Sequence, residues 1–358
     1  MKRYILLILS VALSLNMYAA EKRVLKGKVI CDEVGVANVI VTDGENFTTT
    51  DDKGHYKLES EEDKGLVYIT IPAGYTVKSK NSVPMFWHKV KGGNDYDFTL
   101  IKKEKDDTHH GFVVIADPQI WHKKEFPALS DGVKDIHKTL ESYNIPFHGI
   151  CCGDVISYDH TFYAQYNATM TASGIDFYST PGNHDMTLYS RTHETSTRLW
   201  EETFGPTYYS FNVGDVHYVV LNDNFYIGRD WFYIGYIDER QYAWLEKDLS
   251  YVPEGKTVIV ALHIPTTCDE KDRKSFTYDN IAHVTTNAKA LYKMLEPYNA
   301  HILSGHTHTT FNQIISDQLY EHVIPALSGA WWQGTLCTDG TPRGYGVFEV
   351  DGDEVQWY

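Results

Sequence analysis

Apolar positions follow two regimes along the chain. Between residues 21 and 101 they form short alternating runs, such as Gly27-Lys-Val-Ile-Cys31, Ala37-Asn-Val-Ile-Val41 and Leu66-Val-Tyr-Ile-Thr-Ile71. Turn signals separate these runs at Asp43-Gly44, Asp52-Lys-Gly54 and Ala73-Gly74. Period-two alternation broken by such turns predicts a small all-β sandwich. From Phe112 the pattern changes. Continuous apolar runs predict buried strands at Phe112–Ala116, Phe147–Cys152, Ile175–Thr180, His217–Asn222, Thr257–His263 and His301–Ser304. Between them, residues 131–143 place Val133, Ile136, Leu140 and Tyr143 on one helical stripe, with Ser130 as N-cap. A second helix is expected over Asp238–Leu249, with Tyr242, Leu245 and Leu249 inward. The expected fold class is therefore α/β preceded by a small all-β domain. The divisions are 1–20, 21–101, a charged connector over 102–109 (Lys102-Lys-Glu-Lys-Asp-Asp107 at its core) and 110–358.

The first twenty residues form the first division. Lys2 and Arg3 precede an apolar stretch from Tyr4 to Leu15 and a small-residue pair, Ala19-Ala20. That order predicts an export signal and a periplasmic or extracellular protein, with no transmembrane segment after cleavage. The alternative is an uncleaved anchor. Composition alters the picture in two ways. A formal net charge of −16 argues against a nucleic-acid backbone as partner. The five cysteines match no zinc or disulfide framework; Cys151 and Cys152 read as small core residues, and a bridge among Cys31, Cys268 and Cys337 stays open.

Chemistry concentrates in five segments, each just after a predicted strand: Asp117-Pro118-Gln119, Gly153-Asp154, Gly182-Asn183-His184-Asp185, the lone His263, and Gly305-His306-Thr307-His308. Carboxylate, amide oxygen and imidazole are the donors that hold borderline divalent ions. The three glycines suit sharp turns at the strand ends. In this order the segments resemble the calcineurin-like metallophosphoesterase family, over roughly residues 110–350. The resemblance implies a β-sandwich core flanked by helices and metal-dependent hydrolysis of a phosphate mono- or diester by a hydroxide bridging two divalent ions (Mn, Fe or Zn). It assigns Asp117, Gln119, Asp154 and His308 to one ion, and Asp154, Asn183, His263 and His306 to the other, with Asp154 shared. It also implies that His184 assists the departing oxygen and that Asp185 orients the His184 imidazole. Two positions depart from the family pattern. Gln119 stands where histidine is usual, although a subset of the family shares Asp-Pro-Gln. Ser157 stands where an acidic or aromatic residue is frequent.

The substrate expected is a phosphorylated small molecule, a lipid head group or a glycan. Asp159 and His160 are candidate substrate contacts, or loop residues without a role. Trp331 and Trp332 either stack on a sugar or base or pack at a strand end. Phe225, Tyr226, Tyr233 and Tyr236 either roof the cleft or pack. Thr48–Lys57 resembles transthyretin-like or carboxypeptidase-regulatory modules; the N-terminal region is then a glycan-binding surface or a stabilising appendage. Gln119 also leaves open a degenerate scaffold that binds without catalysis.

Overall fold

The computed structural model describes residues 22–62, 64–229, 232–267 and 277–357. The expected export signal and Cys268 lie outside them. Among the described residues no helix is long and apolar enough to cross a membrane.

Two sheets face each other at the centre of the larger region. One has five strands in the order Phe177–Ser179, Phe147–Cys151, His109–Ile115, Gly346–Asp351, Glu354–Trp357. The other has six: Tyr209–Val213, Val216–Val220, Thr257–Ala261, Asn299–Ser304, Leu319–Val323, Phe311–Ser316. Alternation explains the layering, because successive side chains on a strand point to opposite faces. Phe112 and Val114 point inward to meet Tyr218, Ile259 and Leu303 of the opposite sheet. Val113 and Ile115 point outward onto the helices Phe126–Leu140 and Tyr163–Met170. On the other side Val258, Val260 and Ile302 point outward onto Glu239–Leu249 and Ala288–Leu295. The central strands are covered on both faces, which is why they read as unbroken apolar runs.

The first helix begins five residues earlier than its periodicity predicts and ends at Leu140, so Tyr143 lies beyond it. Pro127 falls in its first turn, where a missing N–H costs nothing. The Glu125 carboxylate accepts from the Trp121 and His122 amides and fixes the entry (2.7 and 2.8 Å). Phe126 and Leu129 thereby join Val133 and Ile136 on the buried stripe. The later helix starts where expected, with the Asp238 carboxylate capping the Arg240 and Gln241 amides.

The N-terminal region is all β, with a five-stranded sheet, a four-stranded sheet and a two-stranded pair of its own. Its core does not close on itself. Ile71, Phe86 and Trp87 belong to the same apolar cluster as Tyr209, Phe211 and Tyr218. The rings of Phe86 and Tyr209 lie 4.7 Å apart, and the Asn212 amide donates to the Ile71 carbonyl. The charged connector is only partly solvated: Asp107 is buried, accepting from Lys103 Nζ at 2.7 Å and from the Gly74 amide at 3.2 Å. Cys31, Cys151, Cys152 and Cys337 are free and buried.

The strands before the five polar segments run parallel to one another within each sheet. Their carboxyl ends therefore open on one edge, where ligand sites of α/β sheets form.

Candidate metal centre

Three of the five polar segments leave their strands in a conformation that side chains rarely adopt. Asp117 (φ 51°), Gln119 (38°), Asp154 (53°), His306 (68°) and His308 (51°) are all left-handed. Such a residue costs about 1–2 kcal/mol, and clusters of them mark functional sites. Backbone bonds hold the arrangement: the Asp117 amide donates to the Gly153 carbonyl and the Gln119 amide to the Asp154 carbonyl. Of the three glycines only Gly153 has positive φ (83°). Gly182 and Gly305 are instead required by close approach. A Cβ at Gly182 would lie 2.0 Å from Asp154 Oδ1, and one at Gly305 would lie 2.6 Å from Asp117 Oδ2.

The seven candidate ligands come together in two groups joined at Asp154. In the first, His263 Nε2 lies 3.1 Å from Asn183 Oδ1, 3.1 Å from His306 Nδ1 and 3.4 Å from Asp154 Oδ1. The ring tautomer follows from the far nitrogen. His263 Nδ1 meets the Cys152 carbonyl at 2.7 Å; a carbonyl only accepts, so Nδ1 carries a hydrogen and Nε2 is the atom turned toward the cluster. In the second group His308 Nδ1 donates to the Gly329 carbonyl at 2.6 Å, leaving Nε2 bare and 3.6 Å from Asp117 Oδ1. Those two atoms and Gln119 Oε1 are buried without any hydrogen-bond partner. Gln119 Nε2 donates to Asp154 Oδ2 at 2.8 Å, which turns Oε1 away from that carboxylate.

Electrostatics shows the same demand for positive charge. Burial disfavours a charged His263, but Asp154 and Asp117 outweigh it and push the imidazole up to about 10. Burial raises Asp117 to about 6. Burial also opposes ionisation of Asp154, yet His263 and His184 hold it well below the usual carboxylate range. Bare lone pairs and carboxylates crowded out of water fit divalent cations, which satisfy several donors at once.

The remaining expected site residues divide. His184 lies at the cleft, its Nε2 4.0 Å from Asp154 Oδ2. Its Nδ1 partner is Ser157 Oγ at 3.0 Å and not Asp185, which corrects the expected pairing. The Asp185 carboxylate turns back to accept from the Gly182 and Val155 amides (2.9 and 3.1 Å) and from the Tyr163 hydroxyl (3.2 Å). Asn183–Asp185 is a 3₁₀ turn, in which adjacent side chains diverge by about 120°. Asp159 and His160 are not placed as substrate contacts. Asp159 caps the short turn that follows it, and His160 Nε2 reaches the Asp185 carbonyl at 2.9 Å. Trp331 and Trp332 sit in a turn, not at a strand end. The aromatic insertion is a hairpin, Asn224–Arg229 with Phe232–Gly235. Tyr226 and Tyr233 pack with Met186 and Ile264 as a wall, and the Tyr233 hydroxyl lies 3.5 Å from His306 Nε2.

Asp223 escaped the sequence reading. Fully buried, it accepts from the His263 and Ile264 amides and the Thr285 hydroxyl, and so fixes the loop that carries His263. Its signal was present: Asn222-Asp-Asn224 also follows an apolar strand whose end opens on the same edge.

A family model described as calcineurin-like phosphoesterase matches residues 110–310, more than half of the chain. The chain belongs to this family. Models for the N-terminal and C-terminal parts of calcineurin-like phosphoesterases match residues 23–103 and 321–358 of the phosphoesterase. Human serine/threonine-protein phosphatase CPPED1 is 31% identical over 131 residues, 36% of this chain and 40% of that protein's length. Purple acid phosphatase PPD1 from yellow lupin has a similar fold: TM-score 0.51 at 12% identity, covering 90% of this chain and 67% of that one. A dimetal phosphatase from Danio rerio aligns with TM-score 0.48 at 15% identity, over 69% of this chain and 95% of that one. The phosphoesterase is thus a hydrolase acting on phosphate esters, in a family that implies divalent metal ions.

Proposed function

We propose that the phosphoesterase hydrolyses phosphate mono- or diesters of small molecules at a dinuclear centre. Asp117, Gln119, Asp154 and His308 would hold one ion, and Asp154, Asn183, His263 and His306 the other. The observation that carries this reading is the pair of lone-pair clusters that meet at Asp154. Two divalent ions, when bound, draw electron density from the phosphate and make a nearby water a better nucleophile.

The chain's own residues do the rest. Asp154 offers one oxygen toward each cluster. The Cys152 and Gly329 carbonyls keep the His263 and His308 rings in the tautomers that present Nε2 inward. Ser157 Oγ holds His184 Nδ1 at 3.0 Å; with the hydroxyl as donor, the ring hydrogen would sit on Nε2, available to the departing ester oxygen. Gln119 adds a neutral, hard oxygen in place of an imidazole, which favours Mn or Fe over Zn. The N-terminal pattern of basic residues followed by an apolar stretch supports action in the periplasm or outside the cell.

The test is to strip the protein of metal and restore Mn²⁺, Fe²⁺ or Zn²⁺. Release of p-nitrophenol from mono- and bis-(p-nitrophenyl) phosphate is followed together with metal content. Two ions per chain and activity abolished by chelator are expected. One ion or none, with no hydrolysis under any metal, would establish a binding protein on this scaffold instead.

A further inference from the structure

Trp331 and Trp332 are consecutive aromatic residues in the left-handed region, φ 51° and 60°. An unconstrained turn places glycine or asparagine there. The surroundings show how the conformation is held. Trp332 is the anchor: its Nε1 donates to the Pro118 carbonyl at 2.9 Å and its amide to the Ser328 carbonyl at 2.8 Å. Its ring packs on the core beneath the first helix, with the Arg343 guanidinium 5.3 Å over its centre. The turn is also tied to the segments carrying Asp117 and His308. The Ser328 amide donates to the Asp117 carbonyl, the Thr338 amide to the His308 carbonyl, and Gly329 accepts from the His308 ring.

The result is a fixed position for Trp331. Its indole lies against the His308 imidazole, ring centres 4.6 Å apart and planes at 29°. The side chain is still 46% exposed, although indole is among the groups most favourably buried. One face is backed by His308, a candidate ligand, and nearly half of the residue is open to solvent.

Resting on the dinuclear reading above, we propose that Trp331 is a stacking platform for a planar ring in the organic part of the ester. The substrate class is then an aryl or nucleoside monophosphate rather than a glycerol phosphate or a phosphoprotein. A rigid platform next to a ligand of the phosphate site suits a ring a short distance from a single phosphate. The net charge of −16 disfavours substrates that carry more anionic groups. Base–aromatic stacking is worth roughly a five- to hundredfold change in affinity by alanine substitution.

The experiment compares wild type, Trp331→Ala and Trp331→Phe on adenosine 5′-monophosphate, p-nitrophenyl phosphate, glucose 6-phosphate and glycerol 3-phosphate. Folding is checked by circular dichroism. KM for the first two should rise about tenfold in Trp331→Ala, with the phenylalanine variant near wild type, while KM for the other two stays unchanged. A rise shared by glycerol phosphate would mean that Trp331 only braces His308, and a rise confined to glucose 6-phosphate would replace the planar ring with a sugar; either overturns the proposal. Calorimetric binding of adenosine 5′-monophosphate to the Mn²⁺-treated proteins is read independently of turnover. If no ester is hydrolysed, weaker binding by Trp331→Ala still supports the platform while the catalytic reading fails. Equal binding by all three proteins sinks the platform alone.

Discussion

One strand, Asn299–Ser304, supplies histidines to two clusters of opposite character. His301, within the strand, pairs with His322: Nδ1 to Nε2 is 3.0 Å, and His322 Nδ1 meets Asn312 Oδ1 at 2.6 Å. Both rings are buried among Tyr320, Trp357 and Phe348. Just past the strand's end, His306 and His308 join His263 among carboxylates and bare lone pairs. Burial alone holds His301 down at about 4, and burial with its neighbour holds His322 at about 3. His263, buried at least as deeply, is driven the other way by Asp154. Grouped histidines do not by themselves make a metal centre. What distinguishes one is carboxylates beside nitrogens whose tautomers are set from behind.

The sharpest way to break this contrast is to neutralise Asp154. Asp154→Asn keeps the shape of the side chain but removes the shared anion. Turnover should fall on the order of a thousandfold, about 4 kcal/mol of barrier, with metal lost and circular dichroism unchanged. The double variant His301→Leu/His322→Leu should keep both metal and turnover. Similar losses in the two proteins would show that the clusters are not separate in function.

The second test uses acid. In the unfolded chain these imidazoles protonate near 6.5, whereas in the folded protein they resist until about 4 and 3. Between those limits the unfolded state binds more protons, so stability is full above pH 6.5 and is lost as the pH falls toward 4. Between pH 6.5 and 4.5 the pair's share is on the order of 5 kcal/mol. Urea denaturation of wild type and the double leucine variant should therefore diverge between pH 7 and pH 4.5, with the variant losing less. Parallel curves would mean that the pair titrates normally. Asp117, Asp185 and Asp223, whose carboxyls burial raises to about 6, 7 and 6, act in the opposite sense. Their contribution cancels in the difference between the two proteins.

The sequence displayed the candidate ligands because they lie local to strand ends, several after an apolar run and a small residue. The α/β order of the larger region was legible for the same reason. Facts set by three-dimensional closure were not. Ile71 and Phe86 look like the private core of a small sandwich, and only the packing shows that they share a core with Tyr209 and Phe211. Asp223 looks like one more polar residue until the His263 loop folds onto it. The partner of His184 was misread because adjacency in sequence suggested Asp185, while the 3₁₀ turn sends the two side chains apart.

His184 is a third kind of histidine, neither among the expected ligands nor paired with another imidazole, and its support is the smallest effect to measure. Ser157 Oγ at 3.0 Å from Nδ1 orients the imidazole and leaves Nε2 on the Asp154 side. Ser157→Ala removes one neutral hydrogen bond, about 1 kcal/mol, so kcat should drop about fivefold with KM nearly unchanged. Ser157→Thr should restore most of it, because the hydroxyl remains. A side chain that merely packed would change KM or stability and leave the pH profile of kcat in place; a positioning residue moves the limb of that profile set by His184. Asp185→Asn is the discriminating companion. Its carboxylate clasps the Gly182 and Val155 amides, so the loss should fall on thermal stability first. Should the kcat profile follow Asp185→Asn and ignore Ser157→Ala, the expectation drawn from the family would be right and the hydroxyl contact incidental.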